Sequence, residues 1–308
     1  MKILVATEKP FAPQAVSQIR DVAEKGGHTL ALLEKYTAPE ELRAAVADAD
    51  AMIVRSDIVD AALLASAPKL RIVVRAGAGY DNLDLNGCTA SGVVAMNTPG
   101  QNSNAVAELA FGMMLYSARG GFNGKTGSEL MGKSLGLHAF GYVGRCMARI
   151  AAGFGMEIYA YDPFVDHKAI RDAGVTPVDT IEELYSTCQY VSLHIPANEK
   201  TRGSIGEKLI SLMPAGGVLV NTARKEVINE AELAAMMEKR SDIKYLSDVA
   251  PDNASLFAEK FAGRYFFTPK KMGAQTEEAN INAGVAAARQ IVAFFATGDE
   301  TCRVNKPK

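Results

Sequence analysis

The sequence predicts an α/β protein built from two doubly wound parallel-sheet units of the Rossmann type, the second inserted into the first. Three observations predict it. Residues 135–162, LGLHAFGYVGRCMARIAAGFGMEIYAYD, run as apolar strand, Gly-rich turn, helical pattern, second strand and terminal acid. That is the layout of a dinucleotide-binding βαβ unit. Ahead of this stretch, short β-like runs alternate with amphipathic helical patterns, which implies a parallel sheet covered on both faces. Behind the last strand-like run, an Ala-rich helical pattern over 277–296 offers a route back to the first unit.

The elements follow in order. KILVATE (2–8) reads as a strand, and 13–26 as an amphipathic helix that stops at a Gly pair. Residues 29–35 form a second strand, 39–49 a helix, AMIVR (51–55) a short buried strand and 60–67 a helix closed by Pro68. RIVVRA (71–76) and 93–97 are further strands, and Thr98–Pro99–Gly100 breaks the chain. A long helix rich in Ala, Leu and Met covers 103–119, followed by a loop over 120–127. After Asp162 come a helix (167–173), a strand (176–178), a helix (181–187) and the strand YVSLHIP (190–196). Then come a helix (207–213), the strand GVLVNTA (217–223), a helix (230–240), a strand (245–249) and an edge run (265–268). We expect residues 1–98 and 280–308 to form a substrate-binding domain and 99–279 a dinucleotide-binding domain, with ligands held in the cleft that two such domains create.

Bulk properties narrow the function classes. A length of 308 residues suffices for two cores. A net charge of −2 with no basic block argues against nucleic acid as a partner. The opening MKILVATEKP turns polar too soon for a signal peptide, and no apolar run approaches the roughly 18 residues of a membrane span. Four widely spaced cysteines, with no CxxC, indicate neither a disulfide framework nor a zinc site. Cys146 and Cys188 lie in apolar patterns and read as small core residues. A reduced, cytoplasmic protein is expected.

Within the Gly-rich turn each position has a physical task. Gly141 lets the backbone approach a pyrophosphate, and Gly144 lets the helix pack closely on its strand. The N–H groups around Tyr142 and Val143 open the helix and face the phosphates. Asp162, eighteen positions beyond Gly144, suits a ribose 2′-hydroxyl. It would repel a 2′-phosphate, and Pro163–Phe164 supplies no arginine to accept one, so NAD is expected over NADP. The first glycine of the fingerprint is replaced by Ala139; its task is to ease the turn, and it is read as the glycine most easily spared.

Ligands of doubly wound sheets sit beyond the C-terminal strand ends. The polar residues there are few and mostly cationic or backbone-exposing, which suits a small anion beside a dinucleotide. The segments VRSDIVDAALL (54–64), VVRAGAGYDNLDL (73–85), VVAMNTPGQNSNAVAELAFGMML (93–115), GKSLGLHAFGYVGR (132–145), VSLHIPAN (191–198), LVNTARKEVINEAEL (219–233), SDVAPD (247–252) and FTPKKMGAQTEEAN (267–280) lie at and around those ends. On them the chain resembles the NAD-dependent D-2-hydroxyacid dehydrogenases, and within them the phosphoglycerate branch.

The resemblance implies that Arg224 grips the substrate carboxylate and polarises the 2-oxygen, a task that suits a guanidinium fork. It implies that Arg55 and Ser56 hold the phosphate or carboxylate end, with Ala78, Gly79 and Asn102 lining the same pocket. Gly141, Tyr142, Val143, Gly144, Asp162, His194, Ile195, Pro196, Thr222, Ala223, Asp248, Gly273 and Ala274 would contact NAD, Asp248 near the nicotinamide. A homodimer through the 103–119 helix and the loop after it is also implied.

The chain departs from the family pattern at three places. Where a catalytic His is usual, it reads Thr268–Pro269–Lys270–Lys271–Met272–Gly273–Ala274. Counting back from Gly273 puts Lys271 in the slot; counting forward from Thr268–Pro269 puts Lys270 there. The usual Glu falls at Asn253, with Asp252 the nearest acid, and the usual Gly pair after the Arg is Lys225–Glu226. Whether Asp252 or Glu226 takes over from the Glu stays open. The exchanges are mutually consistent. A lysine starts near pKa ~10.4 and must be pushed toward about 7–8 to serve as a base at neutral pH. An adjacent Glu would oppose that push, whereas the Arg224 cation and desolvation assist it. None of His28, His138, His167 and His194 replaces the missing histidine. The expected activity is NAD-dependent oxidation of D-3-phosphoglycerate to 3-phosphohydroxypyruvate, opening serine biosynthesis. A hydroxypyruvate or glyoxylate reductase is the near alternative, and a non-catalytic NAD-binding regulator the distant one.

Overall fold

The computed structural model describes residues 1–306, in two compact units: Met1–Asn102 together with the chain from Gln275 onward, and Ser103–Ala274. The crossings lie a few residues from the expected 98/99 and 279/280. The Thr98–Asn102 loop stays with the first unit, where Thr98 N donates to Gly77 O. Thr276 caps the returning helix by accepting from Ala279 N.

The first unit contains β1 (Lys2–Thr7), α1 (Pro13–Lys25), β2 (Thr29–Glu34), α2 (Pro39–Val46), β3 (Ala51–Val54), α3 (Ala61–Ala65), β4 (Ile72–Arg75), α4 (Leu85–Ala90) and β5 (Val94–Asn97). Its sheet is parallel, in the order β2-β1-β3-β4-β5. Alternation along the strands divides the core. Ile3, Val5, Ile53 and Val74 face Ile19 of α1 together with Ala287 and Ile291 of the returning helix. Leu4, Met52 and Val73 face Leu42, Leu63 and Cys88 on the other side.

The second unit contains α5 (Ser103–Ala118), β6 (Ser134–His138), α6 (Tyr142–Gly153), β7 (Glu157–Tyr161), α7 (His167–Asp172), β8 (Thr176–Pro177), α8 (Ile181–Thr187) and β9 (Tyr190–Leu193). It continues with α9 (Glu207–Ile210), β10 (Val218–Asn221), α10 (Glu230–Lys239), β11 (Lys244–Ser247), α11 (Ala254–Lys260) and β12 (Tyr265–Phe267). The parallel order is β12-β11-β10-β9-β6-β7-β8. Strand order reverses at β6/β9, so the loops after β6 and β9 flank the switch point where a dinucleotide binds in such sheets. The chain then re-enters the first unit as α12 (Glu277–Thr297), which stops at Gly298 with φ +72°.

Two short helices, α4 and α11, have no counterpart in the sequence reading. Helix α4 includes Gly87 and owes its start to a local cap, Asp84 Oδ1 accepting from Gly87 N. Helix α11 is about two turns emerging from a polar loop, too short for its periodicity to declare itself.

Candidate active site

The dinucleotide side of the second unit is built by β6, the turn after it and α6. Ala139 stands at φ +85°, in the left-handed region that favours glycine. The spared glycine is therefore still demanded by the backbone, and Ala139 carries the strain. Its carbonyl oxygen sits so close to α6 that a Cβ on Gly144 would lie 2.5 Å from it, which is why that position is glycine. A Cβ on Gly141 would meet no atom within 4 Å. Gly141 opens α6 with no side-chain cap, so the first N–H groups of the helix are left for an anion. Tyr142 is largely exposed beside them and Val143 half-buried.

Asp162 ends β7. Its Oδ2 accepts from Phe140 N at 2.8 Å and its Oδ1 from Phe164 N at 2.9 Å, which fixes the carboxylate against the turn. Each oxygen keeps a lone pair for a hydroxyl. His138 and His194 lie side by side at the ends of β6 and β9, where His194 N donates to His138 O. Burial pulls the His194 imidazole down to about 3, with His138 adding to the effect; burial pulls His138 down to about 4 against the charge of Asp162. Both are neutral at physiological pH, as suits packed side chains. His194 Nε2 and Thr222 Oγ1 are enclosed with no hydrogen-bond partner. Ile195 is buried and Pro196 exposed. A bare helix start, open space at Gly141, an oriented carboxylate and unspent polar atoms at the strand ends together fit NAD.

Beyond β10, two cations meet on one oxygen. Lys271 Nζ donates to Ala223 O at 2.8 Å, and Arg224 Nη1 donates to the same oxygen at 3.1 Å. Asn221 secures the turn from beneath, with Nδ2 donating to Arg224 O and Oδ1 accepting from Ala223 N. Lys271 is in turn set by Asp248, which is 1% exposed. Asp248 Oδ1 accepts from Thr268 Oγ1 and Met272 N, and its Oδ2 from Gly273 N. Its carboxylate thus closes the Thr268–Gly273 loop at both ends. Lys270 and Lys271 are both exposed on this loop, so the desolvation expected of the lysine does not hold, and Ala274 follows half-buried. Lys225, one of the other departures, pairs through Nζ with Asp252 Oδ1, the acid next to the Asn253 that occupies the usual Glu position. Asn253 packs against Glu230, and Glu226 is exposed.

The remaining candidates belong to the first unit. Arg55 lies over the Phe11 ring, its Nη1 donating to Lys9 O and Pro10 O and its Nη2 to Asn280 Oδ1. Burial lowers its pKa from the ordinary value. It thereby clasps the loop after β1 to α12. Ser56 is exposed on the loop after β3, which turns on buried Asp57; Asp57 accepts from Glu8 N, Tyr36 OH and Arg55 N. Ala78 and Gly79 are half-buried after β4, and Ala78 O accepts from Asn97 Nδ2. Asn102 is half-buried at the end of the unit.

The sequence reading missed the Ala223 carbonyl, the Asp248 grip on the lysine loop and the Lys225–Asp252 pair. Only the residue types hinted at the last, since Lys225 stands where a glycine is usual and can pair with an acid. Among the described residues, no cluster of His, Cys, Asp and Glu could hold a metal ion, and no helix is long and apolar enough to cross a membrane.

Residues 92–263 match the family model for the D-isomer specific 2-hydroxyacid dehydrogenase, NAD binding domain. An NAD⁺-bound 3-phosphoglycerate dehydrogenase of Entamoeba histolytica is 48% identical, with a TM-score of 0.87 over 100% of this chain and 99% of that one. A D-3-phosphoglycerate dehydrogenase of Methanocaldococcus jannaschii is 35% identical over 312 residues, covering 94% of this chain and 57% of that protein. A hydroxypyruvate reductase of Thermotoga maritima is 37% identical over 218 residues, 66% of this chain and 70% of that protein. The chain spans about half the length of the D-3-phosphoglycerate dehydrogenases first among these relatives.

Proposed function

The chain belongs to the D-isomer specific 2-hydroxyacid dehydrogenase family, and on that premise we propose that it oxidises D-3-phosphoglycerate to 3-phosphohydroxypyruvate with NAD. The observation that carries the reading is the convergence of Lys271 Nζ and Arg224 Nη1 on Ala223 O. A guanidinium fork and an amine then stand together, as a 2-hydroxy acid requires: one group for its carboxylate and one for its hydroxyl proton.

Arg224 pairs with the carboxylate and draws the 2-oxygen into line. Neutral Lys271 accepts the hydroxyl proton as the C2–H electron pair departs. The bound dinucleotide supplies the hydride acceptor. Asp248 holds the lysine loop, and Asp162 orients the ribose through its 2′-hydroxyl. Arg55, Ser56, Ala78, Gly79 and Asn102 serve the phosphate end of the substrate. His194, Ile195, Pro196, Thr222, Ala223, Gly273 and Ala274 line the cofactor.

The phosphorylated substrate is supported by the Entamoeba histolytica protein, which aligns along the whole chain. A second reading, hydroxypyruvate reduction, draws on the Thermotoga maritima relative. Following NADH absorbance with D-3-phosphoglycerate and with D-glycerate separates the two. The proposal expects turnover to depend on the phosphate; equal or faster turnover of the unphosphorylated acid would replace it with the second reading. The reaction would stand at the first step of L-serine synthesis in the cytoplasm, in line with cysteines that are all unpaired among the described residues. A homodimer through α5 and the turn after it would cover Phe122, which is 67% exposed there.

A further inference from the structure

The Arg55 guanidinium is held from several sides, and every group that holds it is uncharged. Nη1 donates to Lys9 O and Pro10 O, Nη2 donates to Asn280 Oδ1, and the plane lies over the Phe11 ring, 5.1 Å from its centroid. Phe11 is 4% exposed, so the ring is a fixed seat. Asn280 stands in the first turn of α12, where its Nδ2 donates to Thr276 O and Oδ1 is thereby turned toward Arg55. A guanidinium carries five N–H donors. With Nη1 occupied and Nη2 giving one bond, the Nε–Nη2 edge keeps a donor on each nitrogen, the pair that matches two oxygens of one anion. The carboxylate whose charge acts on Arg55 is Asp57, and its oxygens are taken by Glu8 N, Tyr36 OH and Arg55 N. Burial lowers the Arg55 pKa against that pull, as it does for a cation that its surroundings neutralise incompletely.

We propose that Asn280 is a positioning residue: its amide oxygen aims the Arg55 guanidinium at the substrate phosphate and, being uncharged, leaves the whole cation to that anion. The inference rests on the reading of Arg55 as a ligand of the phosphate end. Two properties of the amide matter. As an acceptor that is itself tied to Thr276 O, it fixes where Nη2 points. As a neutral group, it adds no charge of its own. An aspartate has nearly the same shape and would also accept from Nη2, but it would form an ion pair. An incoming phosphate would then meet a cation already paired and a carboxylate that repels it. The acids on the same turn, Glu277 and Glu278, are exposed, and neither hydrogen-bonds Arg55.

The test is steady-state NADH production on D-3-phosphoglycerate by N280D, N280A, R55M and R55M/N280D, with urea midpoints measured beside it. N280D is expected to raise KM for D-3-phosphoglycerate ~10-fold, with kcat changed less. Its urea midpoint should hold, because Asp keeps the acceptor that Arg55 uses. N280A loses the acceptor without adding a charge, and a smaller rise of ~3-fold is expected. R55M should raise KM ~100-fold, and N280D should add nothing in that background, since Asn280 acts through the guanidinium. A wild-type KM in N280D beside an impaired R55M overturns the proposal, whatever the urea midpoint does. So does an N280D effect as large in the R55M background as in wild type. If N280D fails to fold, N280A decides: an unmoved KM ends the proposal. If R55M keeps the wild-type KM, the reading of Arg55 as phosphate ligand falls first and takes the proposal with it. That outcome is distinct from an unmoved N280D in an enzyme that needs Arg55.

Discussion

Lys271 Nζ donates to the carbonyl oxygen of Ala223 at 2.8 Å, and that oxygen also takes Arg224 Nη1 at 3.1 Å. The shared acceptor brings the amine and the guanidinium to one point, as a substrate carrying a carboxylate beside a hydroxyl requires. The same contact makes Arg224 hard to replace. Arg224→Lys keeps the charge but loses the fork, so kcat/KM should fall about 100-fold with KM rising, measured in steady state.

Asp248 accepts three hydrogen bonds from the Thr268–Gly273 loop while almost fully buried. Asp248→Ala would strand two backbone N–H groups and the Thr268 hydroxyl. A loss of about 3 kcal/mol in urea unfolding is expected, with kcat falling further than NAD affinity because the lysine loop loosens. Thr268→Val removes a single donor and should cost about 1 kcal/mol.

Ala139 at φ +85° pays for a conformation that glycine adopts freely. Ala139→Gly should raise stability by up to about 1 kcal/mol, the relieved strain being partly offset by the entropy of glycine in the unfolded chain. Gly144→Ala should act oppositely. Its Cβ would sit 2.5 Å from Ala139 O and push α6 off its strand, with a loss of about 1–3 kcal/mol and weaker NAD binding by titration.

His138 and His194 carry a pH dependence whose sign follows from burial. Their folded values, about 4 and about 3, lie below the ~6.5 of an unfolded histidine. The unfolded chain therefore binds more protons as the solution is acidified. Their contribution is complete above pH ~6.5 and is lost as pH falls toward the folded values. At pH 5 the loss should be about 2 kcal/mol per histidine relative to pH 7.5. Urea midpoints at the two pH values measure it, and a His138→Gln variant should show a shallower drop.

Much of the fold was legible because its signals are local. The β1 to β5 runs, the Gly-rich turn and Asp162 each declare themselves within a few residues, by period or by spacing. Helices α4 and α11 did not, being too short for periodicity and dependent on caps and packing. The candidate site was legible in residue type and not in arrangement. Counting along the chain reached Lys271 from one end and Lys270 from the other, with only a slight preference for Lys271, whereas the bond from Lys271 to Ala223 joins residues 48 apart in sequence. Asp248 reads as a cofactor acid until its three loop donors are seen, the nearest 20 residues away. Ala139 reads as a harmless exchange because its backbone angle is invisible in the letters.

The most direct test of the central claim is NADH formation from D-3-phosphoglycerate by wild type, K270A and K271A at pH 8–9. The account predicts robust turnover in wild type and in K270A, a loss of about 100-fold or more in kcat for K271A, and NAD affinity by fluorescence titration preserved in all three. Wild-type turnover in K271A would contradict it.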